Sequence, residues 1–373
     1  MYFKELSLKD FRNYPELSVQ FHPKVNIITG ENAQGQTNLI EALYLMSLGK
    51  SFRTFRDSEL VAFGKESCRA RCVFEKEGQE DSLEFLISAE GKEMRKSGVR
   101  LQKNSELLET VYTVIFSPED LKIVKEEPEK RRKFMDRELC MMDPVYYKTL
   151  SRYKKALVQR NNLLREEYPN KEVLLAWSEA IAKEGAKITL RRDAFIKRLS
   201  QVSSQLHSGI TQGKELLSLE YESDLPVCAT EAEQAEVYYQ KLQKDLEKDL
   251  QRRTTNSGPH KDDIKISIGG IDARHFGSQG QQRTAALSLK LAEIALIREE
   301  TGEDAVLLLD DVLSELDPNR QNFLLQSLSH VQLFITTAEL SESLLQKLPE
   351  YRIFTISGGQ IEKQFDNKQG SNV

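Results

Sequence analysis

The sequence is poor in the residues that redox and metal chemistry need. Its four cysteines, Cys68, Cys72, Cys140 and Cys228, are scattered over 373 residues. Cys68 and Cys72 have no second pair or nearby histidine to complete a tetrahedral metal set, so reduced structural thiols of a cytoplasmic protein are expected. No run of about 18 apolar residues occurs, which argues against a membrane span. The opening stretch, Met1 to Phe11, has no continuous apolar core, and no secretory signal is expected. An excess of positive charge is missing too. The formal net charge is −5, so any contact with nucleic acid has to come from local basic patches, because an acidic average repels phosphate at long range.

What is present is enough chain for two lobes. Leu6 and Leu8, then Leu17, Val19 and Phe21, alternate with polar residues as strands do. Val25–Thr29 is a third strand, closing on Gly30 and followed by helical spacing over Leu39, Ile40, Leu43, Tyr44 and Leu45. Further strands are expected at Cys68–Glu75, Leu83–Ser88 and Val111–Phe116, as an antiparallel flank on the first sheet. From Pro118 the composition turns to Lys, Glu, Arg, Gln and Leu, with long helices expected over Pro144–Glu167, Lys171–Ser208 and Glu231–Arg253. Beyond Ser257 strands return. Ile264, Ile266 and Ile268 alternate before Gly269-Gly270, a hairpin signal, and Val306–Leu309 and Leu333–Thr336 are buried strands. The expected division is an α/β lobe over 1–117 and 257–373, interrupted by a helical lobe over 118–256, with a polar tail from Asn367 to Val373.

Gly30-Glu31-Asn32-Ala33-Gln34-Gly35-Gln36-Thr37, with Asn38 following, has P-loop spacing at every defining position but one: Gln36 stands in the lysine position. Small residues let successive backbone N–H groups face phosphate oxygens, and the loop opens a helix whose N-terminus is partly positive. Thr37 is the hydroxyl expected on Mg²⁺. Read alone, the loop also fits a strand-to-helix turn with no ligand. Val306–Leu309 followed by Asp310-Asp311 has the Walker B pattern: Asp310 for the metal, and Asp311 to orient or activate the attacking water. Ser278-Gln279-Gly280-Gln281-Gln282-Arg283 precedes a helix, with Ser314-Glu315-Leu316-Asp317 downstream of it. The first resembles the signature motif, and the second the D-loop, of ABC-type ATPases.

These pieces, with Phe11-Arg12-Asn13-Tyr14, Ser117–Leu121, Arg131–Asp136 and Gly258–Asp263, resemble the RecF family of recombinational-repair proteins along nearly the whole chain. The resemblance implies a P-loop ATPase head related to the SMC type, without a long coiled-coil arm. It implies ATP and Mg²⁺ as cofactors, an ATP-dependent homodimer, and slow hydrolysis. Ser278, Gly280 and Gln281 of one copy would meet the nucleotide of the other, and Arg12 would lie near the nucleotide. DNA, RecO and RecR are the implied partners, in loading recombinase at gaps. Thr337 falls at the switch position.

Gln36 departs from that pattern and reads as a deliberate replacement of lysine in preference to a natural variant. It keeps a donor and loses a charge, so weaker ATP binding and still weaker hydrolysis are expected. Local basic groups at Arg95, Lys96, Arg131 and Arg132 are DNA candidates, as are Arg191, Arg192, Lys197 and Arg198. The contact expected is to phosphates without base preference. His260 is placed equally as a nucleotide contact or as a hydrogen-bonded turn residue. A small-molecule kinase and, with Gln36 native, a non-catalytic scaffold are the alternative functions.

Overall fold

A computed structural model describes residues 1–328, 330–348 and 350–368, with the side chains of Leu121 and Lys368 left out. The chain folds as two compact units, Met1–Leu121 with Glu293–Val373, and Lys122–Ala292. The expected tail from Asn367 is structured at Asn367 and Lys368, which close the final strand; 369–373 lie outside the described residues.

The first unit begins with strands β1 (Tyr2–Phe11), β2 (Tyr14–Gln20) and β3 (Val25–Thr29), then helix α1 (Gln36–Leu48). Strands β4 (Ser67–Lys76), β5 (Gln79–Ser88), β6 (Gly91–Lys96), β7 (Val99–Leu101) and β8 (Thr113–Phe116) follow. One sheet, in the order β2-β1-β4-β5-β6-β7, is antiparallel throughout. Strand β8 does not join it, correcting the expectation for Val111–Phe116. Its four residues are all buried, as a parallel strand covered on both faces requires, and it pairs elsewhere.

The second unit holds helices Pro128–Met142, Pro144–Leu163, Lys171–Thr211, Glu231–Lys244 and Leu246–Arg252. The helix expected over Glu231–Arg253 is interrupted at Asp245. Strand β9 (Leu217–Glu222), unforeseen in a stretch rich in Lys and Glu, pairs with β10 (Asp263–Ile268), which turns through Gly269-Gly270 into β11 (Ile271–Asp272). Residues 257–292 therefore fold with this unit, because the partner of β10 is β9. Helix Gln279–Thr301 carries the chain back to the first unit, where β12 (Val306–Asp310), β13 (Leu333–Thr337), β14 (Glu350–Ser357) and β15 (Gln360–Lys368) complete a second sheet, β15-β14-β3-β13-β12-β8. Its inner strands are parallel and only β15 runs against its neighbour.

Helix α1 is apolar on almost every side, and nine of its residues, Leu39 to Ser47, are buried. It shares one core with side chains of both sheets, among them Phe3, Leu6 and Cys72 of the antiparallel sheet and Ile28, Leu308 and Phe334 of the parallel one.

The core of the second unit is polar in an organised way. Arg160 is fully buried and pairs with Asp249 at 2.7 Å, with Ser178 and Thr255 as further partners. Arg192 is buried against Asp136, Asp262, Tyr146 Oη and the Pro259 carbonyl. Gly258, at φ +125°, lies where a Cβ would meet the Tyr238 hydroxyl at 1.6 Å, so only glycine fits. His260 accepts at Nδ1 from Tyr153 Oη at 2.7 Å and donates from Nε2 to the Thr255 carbonyl at 3.0 Å, the tautomer that satisfies both partners. Of the two placements expected for His260, the turn residue is the one observed.

Burial lowers the His260 pKa to about 4, with Lys261 adding to the effect. The folded state holds the ring neutral while the unfolded chain protonates near 6.5, so stability present above pH 6.5 is lost as the pH falls toward 4. Urea titrations at pH 7 and pH 5 should show the wild-type chain losing roughly 1–2 kcal/mol more than a His260→Gln variant. Equal losses would remove His260 from the account.

Candidate nucleotide site

The loop from Gly30 to Gly35 leaves the C-terminal end of β3, between β13 and β14, and enters α1. Open α/β sheets bind ligands at that end of their strands. Gly30 and Gly35 adopt φ +155° and +127°, and Ala33 takes +66°. A Cβ on Gly30 would come within 2.3 Å of the Ile356 carbonyl oxygen, and one on Gly35 within 2.8 Å of Asn13 Nδ2. The backbone is strained and closely approached, and it is braced from outside. Asn13 Nδ2 donates to the Gln34 carbonyl at 2.8 Å, Tyr14 Oη to the Gly35 carbonyl at 2.9 Å, and the Gly359 and Gly358 amides to Gln34 O and Oε1. Gln36 folds back over the loop, its Nε2 donating to the Glu31 carbonyl at 2.9 Å. Asn38 donates to Asn13 Oδ1. Glu31, Asn32 and Ala33 are exposed at the rim.

Thr37 and Asp310, far apart in the chain, are brought together: Thr37 Oγ1 donates to Asp310 Oδ1 at 2.9 Å. Asp310 ends β12 and is 7% exposed. Burial pushes its carboxyl above the usual carboxylate range, and hydrogen bonds from Thr37 and Thr336 act against that rise. Thr336 Oγ1 donates to Asp310 Oδ1 at 3.0 Å and accepts from the Asp311 amide at 2.9 Å. Asp311 is exposed, in the left-handed region at φ +54°, with Ser314 Oγ donating to its carbonyl at 3.0 Å. Asp317 caps the helix Pro318–Ser327 through the Asn319 and Arg320 amides. Thr337 ends β13 and donates to the Glu339 carbonyl.

Arg12 is engaged along α1. Its guanidinium donates twice to Glu41, at 2.8 Å each, and once to the Glu59 carbonyl. Glu41 is fully buried. It also accepts from Ser51 and from Arg53 at 3.4 Å, and Arg53 donates to Asn38 Oδ1 at 2.7 Å. Sequence reading missed Glu41, Arg53 and Thr336. Glu41 left a signal, a lone acid within Leu39–Leu45; Thr336 on an apolar strand left none.

In the second unit Ser278 is exposed and caps the helix Gln279–Thr301. Its Oγ accepts from the Gln281 amide, and Gln281 Oε1 accepts from the Ser278 amide at 2.9 Å, a reciprocal capping box. Gln281 also reaches Glu215 at 3.0 Å, and Gly280 O accepts from Thr284.

Among the basic candidates, Arg131 is corrected. It is 3% exposed and spent on Asp263, at 2.6 and 2.8 Å, and on the Ile123 and Glu126 carbonyls. Arg192 is buried as well. Neither can meet a phosphate on the surface. Arg132 is partly exposed and donates to the Asp262 carbonyl. Arg95 pairs with Glu93 at 2.7 Å and Lys96 with Asp81 at 3.6 Å, both at the surface.

A glycine loop closing a parallel strand onto a buried helix, with an acidic pair at the end of a sheet strand, defines a P-loop ATPase head of the ABC type. A family model described as the RecF/RecN/SMC N terminal domain matches residues 2–357. The DNA replication and repair protein RecF of Clostridioides difficile (strain 630) is 42% identical over 97% of this chain and 98% of its own length. That of Halalkalibacterium halodurans is 41% identical over 98% and 100%. A solved structure of the recombination mediator protein RecF with ATP superposes at a TM-score of 0.90, with 38% identity over 98% of this chain and 97% of that one. An Smc head domain from Pyrococcus furiosus, at 16% identity and TM-score 0.57, shares the fold. The chain belongs to the RecF family. Among the described residues, no helix is long and apolar enough to cross a membrane.

Arg131→Ala should leave the Asp263 carboxylate without its partner and cost about 3 kcal/mol in urea unfolding. Arg95→Ala and Lys96→Ala should cost within about 0.5 kcal/mol. A full-stability Arg131→Ala protein would return that residue to the DNA candidates.

Proposed function

We propose that this chain binds ATP and Mg²⁺ between the glycine loop and the Asp310-Asp311 pair, and acts as an ATP-dependent DNA-binding protein of recombinational repair. One observation carries the reading: the 2.9 Å contact of Thr37 Oγ1 with Asp310 Oδ1 sets a hydroxyl beside a carboxylate at the start of the loop helix. The donor set fits Mg²⁺, which takes hard oxygen ligands and one or two carboxylates. Asp310 is a desolvated carboxylate that accepts hydrogen bonds from the Thr37 and Thr336 hydroxyls. Thr37 and Asp310 would hold the ion, which when bound neutralises charge on the β- and γ-phosphates.

The chain's own groups do the remaining work in this reading. Loop amides over residues 30–37 and the N-terminus of α1 receive phosphate oxygens, and Gln36 offers a neutral donor. Reaching a phosphate requires Gln36 to leave the Glu31 carbonyl. Asp311, exposed beside Ser314, orients the attacking water and accepts its proton. Ser278, exposed at a helix start, serves the nucleotide of a second copy, which makes the active form an ATP-dependent homodimer. DNA is held by its phosphates through surface cations such as Arg95, Lys96 and Arg132. RecO and RecR are the partners in loading recombinase at gaps. Relatives named for DNA replication and repair, and solved relatives named for ATP and the RecFOR pathway, support this.

Changing Gln36→Lys should tighten ATP binding by roughly two- to thirtyfold, the difference between a charged and a neutral hydrogen bond of about 0.5–2 kcal/mol. It should raise hydrolysis by more than that. Calorimetric titration and a phosphate-release assay check both, and an unchanged pair of constants would refute the assignment of the loop. Asp310→Asn removes a carboxylate whose ionisation burial disfavours, so the nucleotide-free chain should melt no lower at pH 7. The melting gain on adding Mg²⁺ with ATP, about 2.7 kcal/mol of stabilisation at a hundredfold excess over Kd, should largely vanish.

A further inference from the structure

Gln281 is held at both ends of its side-chain amide. Its Oε1 accepts from the Ser278 amide at 2.9 Å, and its Nε2 donates to Glu215 Oε1 at 3.0 Å. The backbone amide of Gln281 in turn donates to Ser278 Oγ at 3.2 Å. That bond occupies a lone pair of the hydroxyl and leaves its hydrogen to donate elsewhere, and Ser278 is exposed. We propose that Glu215 is a positioning residue for Ser278: it fixes the orientation of the Gln281 amide, and through it the direction in which the serine hydroxyl meets the nucleotide of a second copy.

The two ends of the amide meet groups of fixed character. A backbone N–H can only donate and a carboxylate can only accept, so one orientation of Gln281 satisfies both and the flipped one satisfies neither. Glu215 is itself set by rigid structure, and all of these groups belong to the second unit. It sits between the helix Lys171–Thr211 and β9, where the Gly213 amide donates to the Ser208 carbonyl and the Gly269 amide to the Leu216 carbonyl, both at 2.8 Å. Its second oxygen, Oε2, lies 3.3 Å from Nε2 of the fully buried His207, whose Nδ1 is 3.1 Å from Ser288 Oγ. Ser288 lies about two turns beyond Gln281 on the same helix. The helix that Ser278 caps is thus tied to Lys171–Thr211 at its start through Glu215 and further along through His207. A carboxylate repels phosphate, so Glu215 would not be a nucleotide ligand itself; what it holds is a neutral amide. Its side chain is 27% exposed, so it can be replaced without opening the core.

The inference rests on the reading of Ser278 as serving a second copy's nucleotide, and the test separates the two. Sedimentation of the full chain with saturating ATP and Mg²⁺ measures dimerisation, and titration of a fluorescent ATP analogue into the dilute chain measures binding by its own loop. Glu215→Ala should weaken ATP-dependent dimerisation by roughly tenfold, the loss of one hydrogen bond to a charged group, and leave the nucleotide affinity of the monomer unchanged. Glu215→Gln keeps an acceptor oxygen and should stay within about threefold of the parent. Glu215→Lys offers only donors and should be at least as weak as alanine. These two variants keep the bulk of the side chain and ask the same question if alanine unfolds the chain. Glu215→Ala added to Gln281→Ala should cost nothing further, because Glu215 acts through that amide. Unchanged dimerisation in the alanine and lysine variants overturns the assignment, and so does a further loss in the double variant. A fall in the monomer's nucleotide affinity overturns it as well, by making Glu215 a general structural brace. A parent chain that stays monomeric with ATP would sink the two-copy reading itself, and this inference with it.

Discussion

Thr37 and Asp310 are 273 residues apart in sequence and share one hydrogen bond of 2.9 Å. The nucleotide side of the first unit depends on that contact, because it joins the start of α1 to the end of β12. The contact requires the chain to leave the unit at Leu121, build a second compact unit, and return at Glu293 with β12 between β13 and β8. Parallel pairing enforces it. With Leu309 opposite Ile335 and Thr336 opposite Asp310, the ends of the central strands fall level, and β3 delivers the glycine loop at the same height. Register thus places hydroxyl, carboxylate and loop together without a local turn to do so.

Much of this was legible, because the signals are local. Gly30 and Gly35 mark positions where the backbone takes positive φ, Gly30 close to the Ile356 carbonyl and Gly35 close to the Asn13 and Tyr14 side chains, and four apolar strand residues followed by Asp310-Asp311 mark a sheet covered on both faces. Strand β9 was not legible: its outward residues Ser218, Glu220 and Glu222 read as part of a charged helical stretch, and only pairing with β10 makes it a strand. Strand β8 was assigned to the wrong sheet because a short apolar run does not say which neighbour it pairs with. The braces on the glycine loop, from Asn13, Tyr14, Gly358 and Gly359, come from turns of two different hairpins that have no fixed spacing from the loop.

The basic clusters show where sequence reading fails for a physical reason. Arg131 and Arg132 are adjacent on one helix, and composition treats them alike. Helical geometry sets neighbours about 100° apart, so one meets Asp263 in the interior while the other stays partly exposed. The motif containing Arg131 and Asp136 and the motif ending in Asp262-Asp263 turn out to bind each other, through Arg131 to Asp263 and through Arg192 bridging Asp136 and Asp262. Truncating one member would strand a buried charge, so such residues resist change for reasons of folding alone.

The two buried acids near α1 are treated unequally, and the inequality is informative. Glu41 is answered by guanidinium groups, with Arg12 bidentate and Arg53 at 3.4 Å, and is satisfied within the chain. Asp310, nearly as buried, forms no ion pair among the described residues and holds only hydroxyl hydrogens. A carboxylate withdrawn from water without a countercharge favours its protonated form, which is the direction burial drives it. In the proposed function a divalent cation brought with a triphosphate would supply the positive charge that favours the ionised form. Gln36 bears on the same balance: where a lysine would place a fixed charge in the loop, the amide rests on the Glu31 carbonyl and contributes none. In the proposed function the loop's affinity for phosphate would then lean more heavily on its amides and on the incoming cation, so occupancy by nucleotide and by metal should be coupled more tightly with glutamine at 36 than with lysine.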